Sequence, residues 1–429
     1  MKLEPVRRDD GKQIVLRDRL GEGGQGAVYL AECGGREVAL KWYERDHDDI
    51  RRRIEQLIAR GAPSGAYIWP EALAIDSHAE GFGYLMPLIP ERFHPFTALM
   101  TGESDPTFRA LCMAAINISR AFLDLHAQGL CYGDINFGNI FIAPDTGDVL
   151  VCDNDNVVID GDRTSVLGTM RFMAPEIVRG EANPSADTDR WSLAVLLFYA
   201  FMIHHPLEGK RERAIRCMDL RAMEELYGHE PAFIFHPTNL SNHPDPETQG
   251  GAIACWESIP GFLRKLFTQG FVRGCGDARE GRVRETEWIE AFQRMTDALI
   301  TCACGADNFH DLDAMRANPG VHQQCWCCLD PLTLPPRVRL DDGRVVLLGE
   351  GGSLQGRHLL ARPGTRTYEV MAKVVTSAAE KIGLQNVSDI PWSALLDGGQ
   401  PIEVKPGQTM TLMKNGTLYF HDTSAKLRA

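Results

Sequence analysis

Asp134, Asn139 and Asp153 are the residues of this 429-residue chain whose types and spacing could do chemistry. They lie in two short stretches, Tyr132-Gly133-Asp134-Ile135-Asn136-Phe137-Gly138-Asn139 and Val151-Cys152-Asp153-Asn154-Asp155, each bordered by apolar runs of strand type. Phosphoryl transfer asks for little covalent help from a protein. It needs one carboxylate to orient and deprotonate a hydroxyl, and an amide with a second carboxylate to hold Mg²⁺ on the phosphates. Asp134 fits the first role, and Asn139 with Asp153 fits the second. Asp155 adds a further carboxylate, which either contacts the metal, directly or through water, or is a solvated turn aspartate pointing away from it.

Such a centre needs elements that hold a nucleotide over it. Ile14 to Leu20 reads as a strand, and Gly21-Glu22-Gly23-Gly24-Gln25-Gly26-Ala27-Val28 as a glycine-rich turn into the next strand, where missing side chains let backbone amides approach phosphate. Rossmann units share G-x-G-x-x-G, but they follow it with a helix and an acid roughly 20 residues on. Here a hairpin through Gly34-Gly35 leads instead to the strand Val38-Ala39-Leu40-Lys41. Lys41 needs an anionic partner to hold its ammonium. The next helix, Asp46 to Arg60, places Ile50, Ile54, Leu57 and Ile58 at helical spacing and offers Glu55. Pairing of Glu55 with Arg51 or Arg52 on a solvated face is the alternative. Gly83 to Ile89 reads as a buried strand entering a connector. Phe108 to Gln128 reads as a long helix with Leu111, Ala115, Ile118, Phe122 and Leu125 on one stripe and Gly129 as its C-cap.

Taken in order, Gly21 to Val28, Lys41, Asp134, Asn139, Asp153, Gly168-Thr169-Met170-Arg171-Phe172-Met173-Ala174-Pro175-Glu176 and Asp189-Arg190-Trp191-Ser192-Leu193 resemble the ordered motifs of the eukaryotic-like protein kinases over roughly residues 14 to 295. The resemblance implies an α+β chain with a bilobal protein-kinase fold over 1–299, its N-lobe 1–87 and its C-lobe 91–299. It implies ATP and Mg²⁺ (or Mn²⁺) as cofactors and a protein hydroxyl as substrate. Gly21, Gly23 and Gly26 would approach the phosphates, with Val28, Ala39 and Lys41 on the nucleotide, Met86 lining the adenine pocket, and Leu88 or Ile89 offering backbone hydrogen bonds. Asp134 would be the base, Asn139 and Asp153 the Mg²⁺ ligands, and Thr169 the brace of the base. Glu176 would anchor the activation segment through Arg279 or Arg282, and Asp189 would tie helix to catalytic loop.

The departures from the family pattern are informative. The family's H-R-D is Tyr132-Gly133-Asp134 here, so the arginine that receives an activation-loop phosphate is absent, and activity without loop phosphorylation is expected. Asn136 stands where Ser/Thr kinases usually place a lysine facing the γ-phosphate, which implies slow turnover. The D-F-G position reads Asp153-Asn154-Asp155. Y-G-D-I-N-F-G-N, C-D-N-D-N and R-F-M-A-P-E together are similar to a bacterial subgroup found in a tellurite-resistance-associated phosphorylation triad. That likeness implies a metal-dependent protein phosphatase and a von Willebrand factor A-type domain protein as partners.

The bulk numbers exclude some classes. A net charge of -13 opposes nucleic acid or an anionic membrane as main partner. The longest apolar run, Trp191 to Ile203, is 13 residues, too short to span a bilayer, and Met1 to Asp10 has no apolar signal core. A cytoplasmic protein is the expectation. His204-His205-Pro206 reads as a helix terminus rather than a metal site.

Past a helix from Glu287 to Leu299 the composition shifts. Five of the twelve cysteines fall between Cys302 and Cys328. Cys302-Ala303-Cys304 and Cys325-Trp326-Cys327-Cys328 could fold into two knuckles gripping one structural Zn²⁺ as a zinc-ribbon-like module over 300–334. Cys302, Cys304, Cys325 and Cys328 are the expected ligands, with Cys327 able to replace Cys328. Residues 335–429 change to alternating period, with turn signals such as Asp341-Asp342-Gly343 and Lys414-Asn415-Gly416, which predicts a small β-sandwich. His358 to Ala361 is among its expected strands. Gly356-Arg357-His358 is faintly similar to forkhead-associated domains, which bind phosphothreonine, but a phosphate-blind regulatory or docking module is the stronger expectation. Two functional readings stand: an ATP/Mg-dependent protein serine/threonine kinase, and a pseudokinase scaffold that binds nucleotide and partners without phosphotransfer.

Overall fold

The computed structural model describes all residues except 1–5, 24–25, 46–47, 77–80, 162–167, 318–322, 362–363, 365–366, 378–380 and 421–422. It divides into two compact units, one of residues 1–256 with 264–290, the other of 257–263 with 291–429. The expected boundaries at 299 and 334 therefore do not coincide with the division. Residues 291–299 pack with the tail, and the cysteine segment and the β-rich tail share one unit.

The first unit begins with strands β1 (Val6–Arg8), β2 (Ile14–Gly23), β3 (Gly26–Cys33), β4 (Arg36–Tyr43), β5 (Ala72–Asp76) and β6 (Phe82–Met86), paired in the order β1-β5-β6-β4-β3-β2. Alternating side chains send Ala31, Val38, Leu40, Trp42, Ala74 and Leu85 into one core. Helix α1 (Asp48–Arg60) buries Ile54 and Leu57, and Ile54 packs with Tyr43, Phe82 and Tyr84 on another face of the sheet. Lys41 and Tyr43 sit two apart on β4 and so project to the same side.

Helices α2 (Phe96–Thr101) and α3 (Phe108–His126) follow. Thr107 caps α3 by accepting the amide of Ala110 at 3.2 Å, and the expected stripe Leu111, Ala115, Ile118, Phe122 and Leu125 is buried. Short strands β7 (His94–Pro95), β8 (Leu130–Cys131), β9 (Ile140–Ile142), β10 (Val149–Val151) and β11 (Val158–Ile159) bracket the two motif stretches, in sheets ordered β10-β9-β7 and β11-β8. After α4 (Pro175–Val178), α5 (Ala186–Met202) starts at a capping box in which Ser185 and Thr188 satisfy each other's backbone, and almost its whole length is buried. Phe198 stacks edge-on against Phe233, Phe267 and Phe271, which centres the helical core on α5. The helix ends before Ile203, and His204 and His205 each bond a backbone carbonyl, as a helix terminus requires. Among the described residues no helix is long and apolar enough to cross a membrane.

In the second unit, a six-stranded sheet (Val345–Leu347, Arg337–Leu340, Ser424–Arg428, Gly416–Tyr419, Trp392–Leu396, Ile402–Val404) and a four-stranded sheet (Ser353–Gln355, Val370–Thr376, Ile382–Asn386, Thr409–Thr411) share one core of Val338, Leu354, Ala372, Leu384, Leu418 and Leu427 with their neighbours. Residues 356–359 correct the expected strand. Gly356–Leu359 is one helical turn, held by Gln355 and His358 across its start.

Candidate active site and metal centre

The catalytic stretch lies between β8 and β9, and its backbone is held from below. Asp189 on α5 accepts the amides of Tyr132 at 2.6 Å and Gly133 at 2.9 Å. Tyr132, fully buried, donates its hydroxyl to the carbonyl of Cys152, tying this stretch to the next. Gly133 has φ of 77° and Gly168 a φ of 97°, and a Cβ on Gly168 would stand 2.6 Å from the carbonyl of Gly133. An arginine in place of Gly133 would be strained there, so the missing phosphate receptor and the local backbone go together.

Asp134 is held by side chains from its own loop and from Thr169. Its Oδ1 accepts Thr169 Oγ1 at 2.9 Å and Asn136 Nδ2 at 2.9 Å. Asn139 Nδ2 donates to the carbonyl of Asp134 at 2.9 Å, so the oxygen of Asn139 is the atom it can offer to a cation. Burial pushes the Asp134 carboxyl above its ordinary value, the bonds from Asn136 and Thr169 pull it back, and Asp153 adds to the rise. Asn136 thus serves the base as well as standing in the usual place of a lysine. Its Oδ1 accepts the amide of Gly138 at 2.8 Å, which holds the loop.

Lys41 lies within bonding reach of two carboxylates, Asp153 and Asp155, the latter at 2.9 Å. Burial alone would push the lysine pKa down, but the fields of Tyr84, Asp155 and Asp153 outweigh it and raise it. Asp153 adopts left-handed backbone, φ 55°, and opens a helical turn over Asn154–Asn156. Asp155 is fully buried and also accepts the hydroxyl of Tyr43. One expectation is corrected here. Glu55 is half exposed and faces Arg51 at 3.5 Å, four residues back on α1, so it is a surface pair and not the partner of Lys41. Asp155, offered as a metal contact or a solvated turn residue, is buried, with Oδ2 engaged by Lys41 and Tyr43 and Oδ1 without a hydrogen-bond partner among the described residues.

Most of the residues expected on the nucleotide lie on neighbouring strands of one sheet. Val28 pairs with Lys41 and with Gly21 across β3, and Ala39 pairs with Met86. Gly23 pairs with Gly26, while Gly24 and Gln25 lie outside the described residues. A Cβ on Gly26 would meet the carbonyl of Trp42 at 2.2 Å, so that glycine serves strand packing first. Leu88 follows β6 in the connector and is half-buried. Of the two arginines offered for Glu176, Arg282 makes the contact, at 2.7 Å, and its side chain is buried. Tyr43 and Arg53 are the site residues sequence reasoning missed. For Tyr43 the signal was there, two positions along β4 from Lys41.

In the second unit, Cys302 and Cys304 sit in the turn between Leu299–Thr301 and Asp307–Phe309. The Sγ atoms of Cys302 and Cys328, and those of Cys304 and Cys325, are 3.7 Å apart, and all four lie within 4.8 Å of one another. A tetrahedron with Zn–S bonds of about 2.3 Å has edges of about 3.8 Å, so the donor set fits that ion. Asn308 Nδ2 and the Cys327 amide each point at Cys325 Sγ, both at 3.4 Å. Cys327 is exposed and lies outside the four. Arg357, the residue with a faint likeness to a phosphate receptor, grips Asp297 with both terminal nitrogens at 2.8 and 2.7 Å and is not open to a phosphopeptide.

A glycine-bearing hairpin and lysine strand beside a half-buried Asp–Asn–Asp constellation are the arrangement that the resemblance to protein kinases implies. The comparisons with known proteins agree. Residues 97–266 match the model of the protein kinase domain. The chain is 30% identical over 392 residues to the DNA damage-responsive serine/threonine-protein kinase RqkA of Deinococcus radiodurans, covering 85% of this chain and 52% of that one. It is 25% identical over 343 residues to Protein kinase YegI of Escherichia coli O157:H7, covering 75% and 49%. To the probable serine/threonine-protein kinase PkwA of Thermomonospora curvata it is 28% identical over 275 residues, covering 60% and 34%. The chain spans about half the length of the first two relatives. The matches support a protein serine/threonine kinase of the eukaryotic-like bacterial kind.

Proposed function

We propose that the protein transfers the γ-phosphate of ATP to a serine or threonine hydroxyl of a protein, with Mg²⁺ or Mn²⁺ as cofactor. The observation that carries this reading is that Lys41, Asp134, Asn139 and Asp153 come from three separate stretches of chain, with Lys41 in contact with Asp153 and Asp153 acting electrostatically on Asp134. Asp134 is the base. Burial keeps its carboxyl more basic than a free aspartate, and Thr169 and Asn136 aim the oxygen that takes the hydroxyl proton. Lys41 binds the phosphates through its ammonium, and Val28, Ala39, Met86 and Leu88 form the walls around the base of the nucleotide. The side-chain oxygen of Asn139 and the carboxylate of Asp153 would hold the metal, which, when bound, neutralises charge on the phosphates. Asn136 is neutral where a lysine is usual, so less charge faces the γ-phosphate and turnover is slow.

In this reading the kinase acts in the cytoplasm in a bacterial signalling module, with a metal-dependent phosphatase and a von Willebrand factor A-type domain protein as partners. Cys302, Cys304, Cys325 and Cys328 hold a structural Zn²⁺ in a ribbon-like module, and the β-sandwich docks or regulates. The test is label transfer from radiolabelled ATP to the full chain, its partners and a generic protein substrate, beside Asp134→Ala. Label with the wild type and none with the variant is expected. No label, or equal label in both, would leave a nucleotide-binding scaffold.

A further inference from the structure

The phosphate-binding lysine of this site takes its anchor from an unexpected place. Glu55, the only acid between Arg51 and Arg60 on α1, has a side chain 49% exposed and turned to Arg51. Asp155 has a side chain 1% exposed, and its Oδ2 lies 2.9 Å from Lys41 Nζ while also accepting the hydroxyl of Tyr43. Asp153 shares the lysine but is 35% exposed, as suits a group that must reach a cation.

The backbone around Asp155 is clamped from three sides. Asn154 Nδ2 donates to the carbonyls of Ile68 at 2.8 Å and Val151 at 2.9 Å. Arg53, on α1, donates its Nε to the carbonyl of Asp155 at 2.7 Å. A carboxylate this buried and this well fixed can hold an ammonium in one position, which a half-solvated Glu55 on a long side chain cannot.

We propose that Asp155 is the positioning residue for Lys41, in place of an acid on α1. This rests on the kinase reading above. The segment 153–156 then carries both a metal ligand and the lysine's anchor. When Asp153 turns to the metal, Lys41 keeps Asp155. Helix α1 is coupled to the site through Arg53 and the Asp155 backbone, so moving it disturbs the turn and not a lysine–glutamate bridge. Control of the site passes to the segment 153–156.

The experiment measures ATP affinity calorimetrically on the full chain, once with Mg²⁺ and once with chelator, for wild type, Asp155→Asn, Tyr43→Phe and Glu55→Ala, with melting followed alongside. Asp155→Asn should weaken ATP about ten-fold in both conditions, Tyr43→Phe a few-fold, and Glu55→Ala less than two-fold. A purely structural Asp155 would lower the melting point and leave the affinity of the folded protein unchanged, which overturns the assignment. So does a loss confined to the Mg²⁺ condition, which would return Asp155 to the metal, or a loss in Glu55→Ala as large as in Asp155→Asn. If Asp155→Asn does not fold, Tyr43→Phe, which removes one hydroxyl, carries the same test. Wild type that binds ATP but transfers no label would sink the kinase reading while leaving these affinities readable.

Discussion

Two buried charge clusters, one in each unit, look alike in outline and differ in how completely they are satisfied. In the first unit, Lys41 meets Asp153 and Asp155. In the second, Asp297 meets Arg357 and His358. Asp297 has both oxygens taken, one by each arm of the Arg357 fork, and His358 Nε2 stands 3.3 Å away. Burial opposes its charge, but His358 and Arg357 prevail and bring its pKa down to about 2. In the lysine cluster Asp153 remains one-third exposed, and Asp155 Oδ1 is buried without a hydrogen-bond partner. A saturated cluster has nothing to offer a ligand and can only hold structure. A cluster with an accessible, partly committed carboxylate can exchange partners, which is what a nucleotide and its metal demand.

On that contrast, damage to the first region should cost rate and damage to the second should cost stability. The largest effect should come from Asp134→Asn, which keeps the shape of the base and removes its basicity. Its kcat should fall about 10²- to 10⁴-fold, with little change in unfolding midpoint. A kcat within three-fold of wild type in single-turnover assays would break the comparison on the catalytic side. Asp297→Ala strands a buried guanidinium, and breaking such a pair costs about 3–5 kcal/mol, read as a lower urea midpoint for the unit that contains it. An unchanged midpoint would mean that the saturated cluster holds nothing.

A third cluster sharpens the comparison through pH. His126 lies between Asp189 at 3.0 Å and Glu285 at 2.6 Å, beneath the catalytic loop. Burial works against its charge, yet the bonds to the two carboxylates raise its pKa to about 9. The raised value means the protonated form stabilises the fold. That stability is whole below about pH 6.5, the ordinary histidine value, and drains away as pH climbs towards 9, on the order of 3 kcal/mol at most. Chemical denaturation of wild type and His126→Gln at pH 6 and 9.5 should show a steep fall in the first and a flat line in the second. The smallest effect belongs to the cysteines. Cys304→Ser should lose the metal measured by elemental analysis, while Cys327→Ser should retain one Zn²⁺ per chain, and equal loss in both would redraw the ligand set.

Much of the site was legible because its residues are spaced locally. Asp134 to Asn139 and Asp153 to Asp155 are each one turn of chain, and local spacing survives any fold. The strand carrying Lys41 and the stripe of α3 were readable for a similar reason, since a period of two or of 3.6 records which face is buried. The four clustered cysteines were readable from their two short spacings. The turn at Gly356–Leu359 was misread because four residues are too few to show a period, and Gln355 and His358 close it through side-chain bonds.

What the sequence determined by itself was therefore the inventory: three acids, an amide, a lysine strand and four thiols, in an order that points to phosphoryl transfer. What only the tertiary structure decided was pairing across distance. Lys41 lies 112 residues before Asp153 and 114 before Asp155, and Glu55 only a helix away, so sequence proximity favoured Glu55. Packing chose otherwise. The face of α1 that carries Ile54 and Leu57 had to be buried, which left Glu55 in solvent. The turn at Asn154–Asn156 was pressed against β4, which left Asp155 as the deeply buried carboxylate within reach of the lysine.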